Sequence, residues 1–166
     1  MTNQFLPLEK SNLLRKIRWT IVFFIVMLSL SGLTAAPAET LLSWLMPYKS
    51  ILPQSLANTL TEAYEGLHET NIKYPFLAYG YDWLAFGHLV IAGAFIGTWR
   101  EPVRNIWVIE WAMWACVAVI PWAMIWGPVR GIPFFWRLID CSFGVFGIIP
   151  LWIVWRWIRK LEEKAL

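Results

Sequence analysis

Five residues set beside or within apolar stretches have the types that do chemistry at a membrane: Asp82, His88, Arg130, Arg137 and Asp140. Guanidinium groups bind anions through a rigid fork of donors, and an imidazole carries a proton near neutral pH. Carboxylates beside them can balance charge or accept that proton. Such a set suits a lipid headgroup, a quinone or a small anion. An ionisable group in hydrocarbon costs about 2.5–3.5 kcal/mol on insertion scales, so each needs a partner, a route to water or a purpose. The plainer account is structural. Arg137 and Asp140 stand at i, i+3 and can pair on one helix face. Arg130 can neutralise Asp82, and His88 can donate to a carbonyl or hydroxyl of a neighbouring helix. Glu110 is a separate case, an intramembrane carboxylate near the inner end of its helix. It is expected to pair with Arg100, Arg104 or Arg156, or to relay protons.

Catalysis would place different demands on the same residues. His88 and Asp140 would act as acid and base, with Cys116 or Cys141 as nucleophile, and the base would have to come within about 3 Å of the group it deprotonates. No phosphate-binding glycine loop, nucleophile elbow, HExxH motif or paired catalytic carboxylates stands in the chain. Haem held by two histidines needs both at one depth on facing helices, and the second of the 2 His residues, His68, falls in an extramembrane segment. The 2 Cys residues have neither CxxC nor zinc-ligand spacing. No cofactor and no metal are expected, and the reading leans away from an enzyme.

The elements that must position these residues are membrane helices. Hydrophobic residues make up 58% of the chain and charged residues 15%, against about 25% charged in a soluble domain. Mean hydropathy is +0.53, and the 13 Trp residues suit bilayer interfaces. The pattern predicts an all-α integral membrane protein with four transmembrane helices over 19–36, 81–99, 105–126 and 134–157. The first run, Trp19 to Ala36, covers roughly 27 Å at the helical rise, enough for a thin or adapted bilayer. A basic stretch, an apolar run and Ala36-Pro37-Ala38 also resemble a signal peptide with its cleavage site. The length of the run favours an uncleaved anchor.

Between the first two spans lies an extracytoplasmic segment, 37–80, punctuated by Pro37, Pro47, Pro53 and Pro75. Within it the periodicity predicts a short amphipathic helix over 54–71 on the outer face. Leu56, Leu60, Ala63, Tyr64 and Leu67 form its apolar stripe, and Glu62, Glu65 and Glu69 its polar side. Leu41 to Met46 is expected to lie in the interface with Trp44 as anchor.

Orientation follows from basic flanks, which resist translocation. Ten of the 14 Lys and Arg residues lie in the arm 1–18, the turn after Trp99 and the end of the chain from Arg156 to Lys164, with the tail itself at 158–166. Lys49, Lys73, Arg130 and Arg137 lie on the other side. Both termini are therefore placed inside, and the chain is expected to be a multi-pass protein of the cytoplasmic (inner) membrane. These basic residues sit at the ends of apolar runs, so a net charge of +3 does not indicate a nucleic-acid partner.

Small residues mark close packing. Gly93 and Gly97 form GxxxG, and Gly144 and Gly147, with Ser142, make a second small patch. In lipid such patches let backbones approach, within the bundle, with a membrane-protein partner or between copies. Pro121 and Pro150 are expected to kink their helices. Pro102-Val-Arg-Asn-Ile106 and Pro128-Val-Arg-Gly-Ile132 share a turn design in which proline stiffens the chain before an arginine. The function predicted from these features is a non-catalytic accessory or scaffold component of a membrane complex. The alternatives are binding or transport of a lipid, quinone or small anion through the outer polar residues, and then intramembrane catalysis.

Overall fold

The structure is a computed structural model and describes residues 5–163; residues 1–4 and 164–166, Lys164 among them, lie outside the described residues. Of the described residues 91% are helical, and among them there is no strand. In order the helices are α1 (Phe5–Ala35), α2 (Ala38–Leu45), α3 (Gln54–Lys73), α4 (Pro75–Arg100), α5 (Ile106–Val129) and α6 (Phe134–Glu163), with a 3₁₀ turn over Met46–Ile51 between α2 and α3. Prolines set several starts. Pro37 and Pro53 directly precede α2 and α3, Pro75 is the first residue of α4, and Pro133 stands just before α6. A proline there fixes a helical or pre-helical φ and gives up an N–H that would have no acceptor in the first turn.

Among the described residues three helices are long and apolar enough to cross a membrane: Glu9–Ala35 within α1, and all of α5 and α6. Their outward faces are apolar, with Trp19, Phe23, Trp114, Phe143 and Phe146 all exposed. Acyl chains, and not water, are the solvent that suits such faces. α4 reaches roughly 39 Å at the helical rise, but Asp82, His88 and its glycines dilute its apolar character, and it is not among the three.

The chain divides into two compact units, one made of residues up to Phe24 with Ala94 onward, the other of Ile25–Gly93. In the first, α5 and α6 form an antiparallel pair. Gly144 packs so closely on the Cys116 carbonyl and Val119 that a β-carbon has no room. Val108, Ile109, Ala112, Leu151, Val154 and Ile158 are buried, on i, i+3, i+4 and i+7 spacings that define one face of each helix. The turn between them is a Schellman motif: Gly131 takes φ +70, its N–H reaches the Pro128 carbonyl at 3.0 Å, and that of Ile132 reaches Gly127 at 2.8 Å.

The α4–α5 turn is held by side chains instead. Asn105 Nδ2 donates to the Gly97 and Glu101 carbonyls, each at 3.1 Å. The buried Thr98 donates through Oγ1 to the Asn105 carbonyl at 3.2 Å, and Arg18 Nε to that of Trp99 at 3.1 Å. The Gly97 and Trp99 carbonyls in the last turn of α4, where helical donors run out, are thus capped. Phe24 stacks on Phe95 in the same unit.

In the second unit α2 packs on α3. α3 buries no residue fully, but Leu60, Ala63, Tyr64, Leu67 and Asn71 are half-buried along one face, whereas Glu62, Glu65 and Glu69 are exposed. Leu56, expected on the apolar stripe, is exposed. Gly32 of α1 fits against α4, where an added β-carbon would lie 2.6 Å from the Ala85 carbonyl and 3.1 Å from His88 Cβ.

Candidate functional site

α6 begins with three aromatic residues, Phe134, Phe135 and Trp136, and presents Arg137 within its second turn. The Arg137 side chain turns towards α5 and lies against Gly127, where any β-carbon would collide with it. Its guanidinium stands 5.1 Å from the centre of the Phe134 ring, a distance at which the ring quadrupole attracts a cation. Nε is buried and has no hydrogen-bond partner among the described residues. The expected pair with Asp140 does not form: Asp140 is exposed, and among the described residues no ion pair joins the two. The space left by Gly127 draws the arginine away from its own helix. Arg130, the residue that ends α5, is exposed and edges an open hollow of about 320 Å³ with Trp122 and Trp126.

Asp82 and His88 belong to the second unit. His88 Nδ1 lies 3.0 Å from the Leu84 carbonyl; a carbonyl only accepts, so this nitrogen carries the proton. The partner is therefore the histidine's own helix and not a neighbouring one. Asp82 is exposed at a cavity of about 360 Å³ whose wall also includes Glu39, Thr70, Asn71 and Tyr81. The structure thus groups Arg130, Arg137 and Asp140 on the α5–α6 pair, and Asp82 with His88 on α4.

Glu110 is the best-partnered of the sequence candidates. Its Oε1 accepts from Trp155 Nε1 at 2.9 Å and from Arg159 Nη2 at 3.1 Å. Arg159 also donates to Glu162 at 3.0 Å and lies 5.5 Å from the centre of the Trp155 ring. Of the arginines expected to reach Glu110, Arg104 pairs with Glu101 and Arg156 lies over Trp152.

One cluster escaped sequence reasoning. Glu39, at the start of α2, accepts from His68 Nδ1 at 2.6 Å and from Asn71, while Tyr64 stacks on the His68 ring. The bonds from His68 and then Asn71 hold the Glu39 carboxyl below its ordinary 4.5. The signal was present: Asn71 continues the stripe of Leu60, Tyr64 and Leu67 by one turn, so a polar residue there called for a polar partner. Among the described residues no group of His, Cys, Asp and Glu side chains has the arrangement to hold a metal ion. The chain matches no family model, no curated protein and no solved structure.

Proposed function

We propose that the chain crosses the membrane four times, with α4 as the additional span and both termini on the cytoplasmic side of the inner membrane. There it serves as a non-catalytic accessory or scaffold component of a membrane complex. One observation carries this reading: Trp107, Trp111, Trp114 and Trp122 are all exposed and fall on one side of α5 by helical spacing. Indoles at the ends of a span suit the headgroup region, but Trp114 stands roughly 12 Å along the helix from its first residue, past that zone. Acyl chains offer no acceptor for its N–H; a protein surface offers both an acceptor and a pocket. A photo-crosslinking residue at 114 or 122 is expected to give a discrete protein adduct in native membranes, and one at Phe143 or Phe146 lipid adducts only. The Trp114→Ala variant is expected to weaken the complex by about 2 kcal/mol or more, as truncating a central Trp does. Lipid adducts alone at position 114 refute the reading. Labelling a cysteine at Gly66 from outside, with tags at both ends reporting inside, tests the orientation.

The buried Nε of Arg137, without a partner among the described residues, favours a second reading: a lipid, quinone or small anion is bound, with Arg137 as its main anchor, Arg130 close by in sequence and Asp140 on the same helix as a polar contributor. Loss of a co-purifying anionic ligand in Arg137→Gln, with the fold intact, is the expected result. Retention of the same ligand rules it out.

A further inference from the structure

A second cleft carries two arginines that no carboxylate among the described residues neutralises. Ser11, Arg15, Arg18 and Val22 recur at i, i+4, i+7 and i+11, so they share one face of α1. With Trp19 and Trp99 they line a cavity of about 360 Å³ within the first unit. Arg18 is fixed from behind, through Nε and Nη2 to the carbonyls of Trp99 and Arg100 at 3.1 and 3.5 Å, with its guanidinium 5.6 Å from the Trp99 ring centre. A guanidinium has five N–H donors, so most of them stay available. Among the described residues Arg15 donates only to the neutral Asn12, at 3.3 Å. Among the described residues no carboxylate pairs with either arginine, whereas Arg104, Arg159 and Lys160 each face one.

The cleft is also graded along the helix. Ser11 and the two arginines occupy its polar end, and Val22 lies roughly 10 Å further along the axis from Arg15, where the apolar run of α1 has begun. A ligand that fits is anionic and hydrogen-bond accepting at one end and apolar at the other. We infer that Arg15 and Arg18 grip the phosphate of an anionic phospholipid, with Ser11 as an additional donor and the acyl chains descending past Trp19 and Val22. Two arginines hold phosphate oxygens through paired N–H donors better than lysines would.

The test is lipid binding by the full chain, delipidated in mild detergent and titrated by native mass spectrometry with phosphatidylglycerol, phosphatidylcholine and inorganic phosphate. Phosphatidylglycerol is expected to bind in preference to phosphatidylcholine, and Arg15→Gln to weaken its binding about fivefold, the worth of one basic residue at an anionic surface. Because Arg15 holds no other element in place, its variant keeps wild-type helicity and melting temperature. Arg18→Gln, which also loosens the end of α4, is read beside it, and Arg156→Gln, on α6, is expected to change nothing. Equal binding of the two lipids, or undiminished phosphatidylglycerol binding by Arg15→Gln, overturns the assignment. Inorganic phosphate that binds to the wild type and displaces the lipid shows an oxyanion site without lipid selectivity, and overturns it as well.

Discussion

Glu110 and Arg137 pose the same physical problem on the same helix pair and receive opposite answers. Each is an ionisable side chain set into an apolar helix. Glu110 meets Trp155 and Arg159 across the pair and shares Arg159 with Glu162. Arg137 meets a glycine and an aromatic ring and leaves Nε without an acceptor. A charge whose donors and acceptors are matched contributes to packing; one left with an unmet donor costs free energy in the empty protein. The difference separates a structural contact from a candidate for binding, which no count of charged residues in the span could do.

Four substitutions bear on the comparison, and the largest effect tests the frame that both residues share. A side chain at Gly144 would displace the Cys116 backbone, so Gly144→Leu is expected to cost about 3 kcal/mol, read from the unfolding midpoint in denaturing detergent. Gly93 has open space where a β-carbon would go, so Gly93→Leu should stay within about 0.5 kcal/mol of wild type. Equal losses at the two positions would mean that α5 and α6 do not pair as described. Next comes Glu110→Ala, expected to cost about 2 kcal/mol through the lost charge-assisted bonds. The pair is partly open, with side-chain exposures of 44% for Arg159 and 42% for Glu110, so the loss should fall short of the roughly 3–5 kcal/mol of a fully buried pair. Arg137→Met should show no loss and a gain of up to about 1 kcal/mol, since an unmet donor and charge are replaced by an apolar chain of similar length. A clear loss there would mean that Arg137 is satisfied after all, and the contrast would vanish.

Helical content and the apolar runs were legible because periodicity and length are properties of a segment alone. Partner choice was not. Doubling the chain back about Gly131 sets residue 110 level with residue 152, so Arg156 lies about one turn and Arg159 about two turns further along α6. Arg156 points opposite the face that buries Val154 and Ile158, and only Arg159 lies towards α5. That buried face can be read from spacing, and combining it with the hairpin would have selected the correct arginine. Gly93 and Gly97 illustrate the converse. Their motif is conspicuous, yet the chain uses Gly32 and Gly144 for its close approaches, because contact depends on which face meets a neighbour. Asn105 and Thr98 gave no warning at all. A single polar residue in a turn becomes a cap only when the carbonyls it must satisfy are known.

A third charged group extends the comparison beyond the apolar helices. Glu39 is bonded as fully as Glu110, by His68 and Asn71, but it lies in the segment between the long spans, where water competes for the same bonds. Its carboxyl is held below the ordinary 4.5 by those two partners, His68 first. The sign follows from linkage: a carboxyl with a depressed folded value stabilises the α2–α3 contact at pH above 4.5, and loses that contribution as the pH falls through the folded value. This is the smallest of the expected effects, since solvent screens an accessible pair. A carbon-detected NMR titration of Glu39 should therefore show a midpoint below 4.5 in the wild type, shifting upward in His68→Ala. A wild-type midpoint at 4.5 or above would mean that these bonds are lost to water in solution. Full partnering would then stabilise a charge in this protein only where acyl chains exclude the competing solvent.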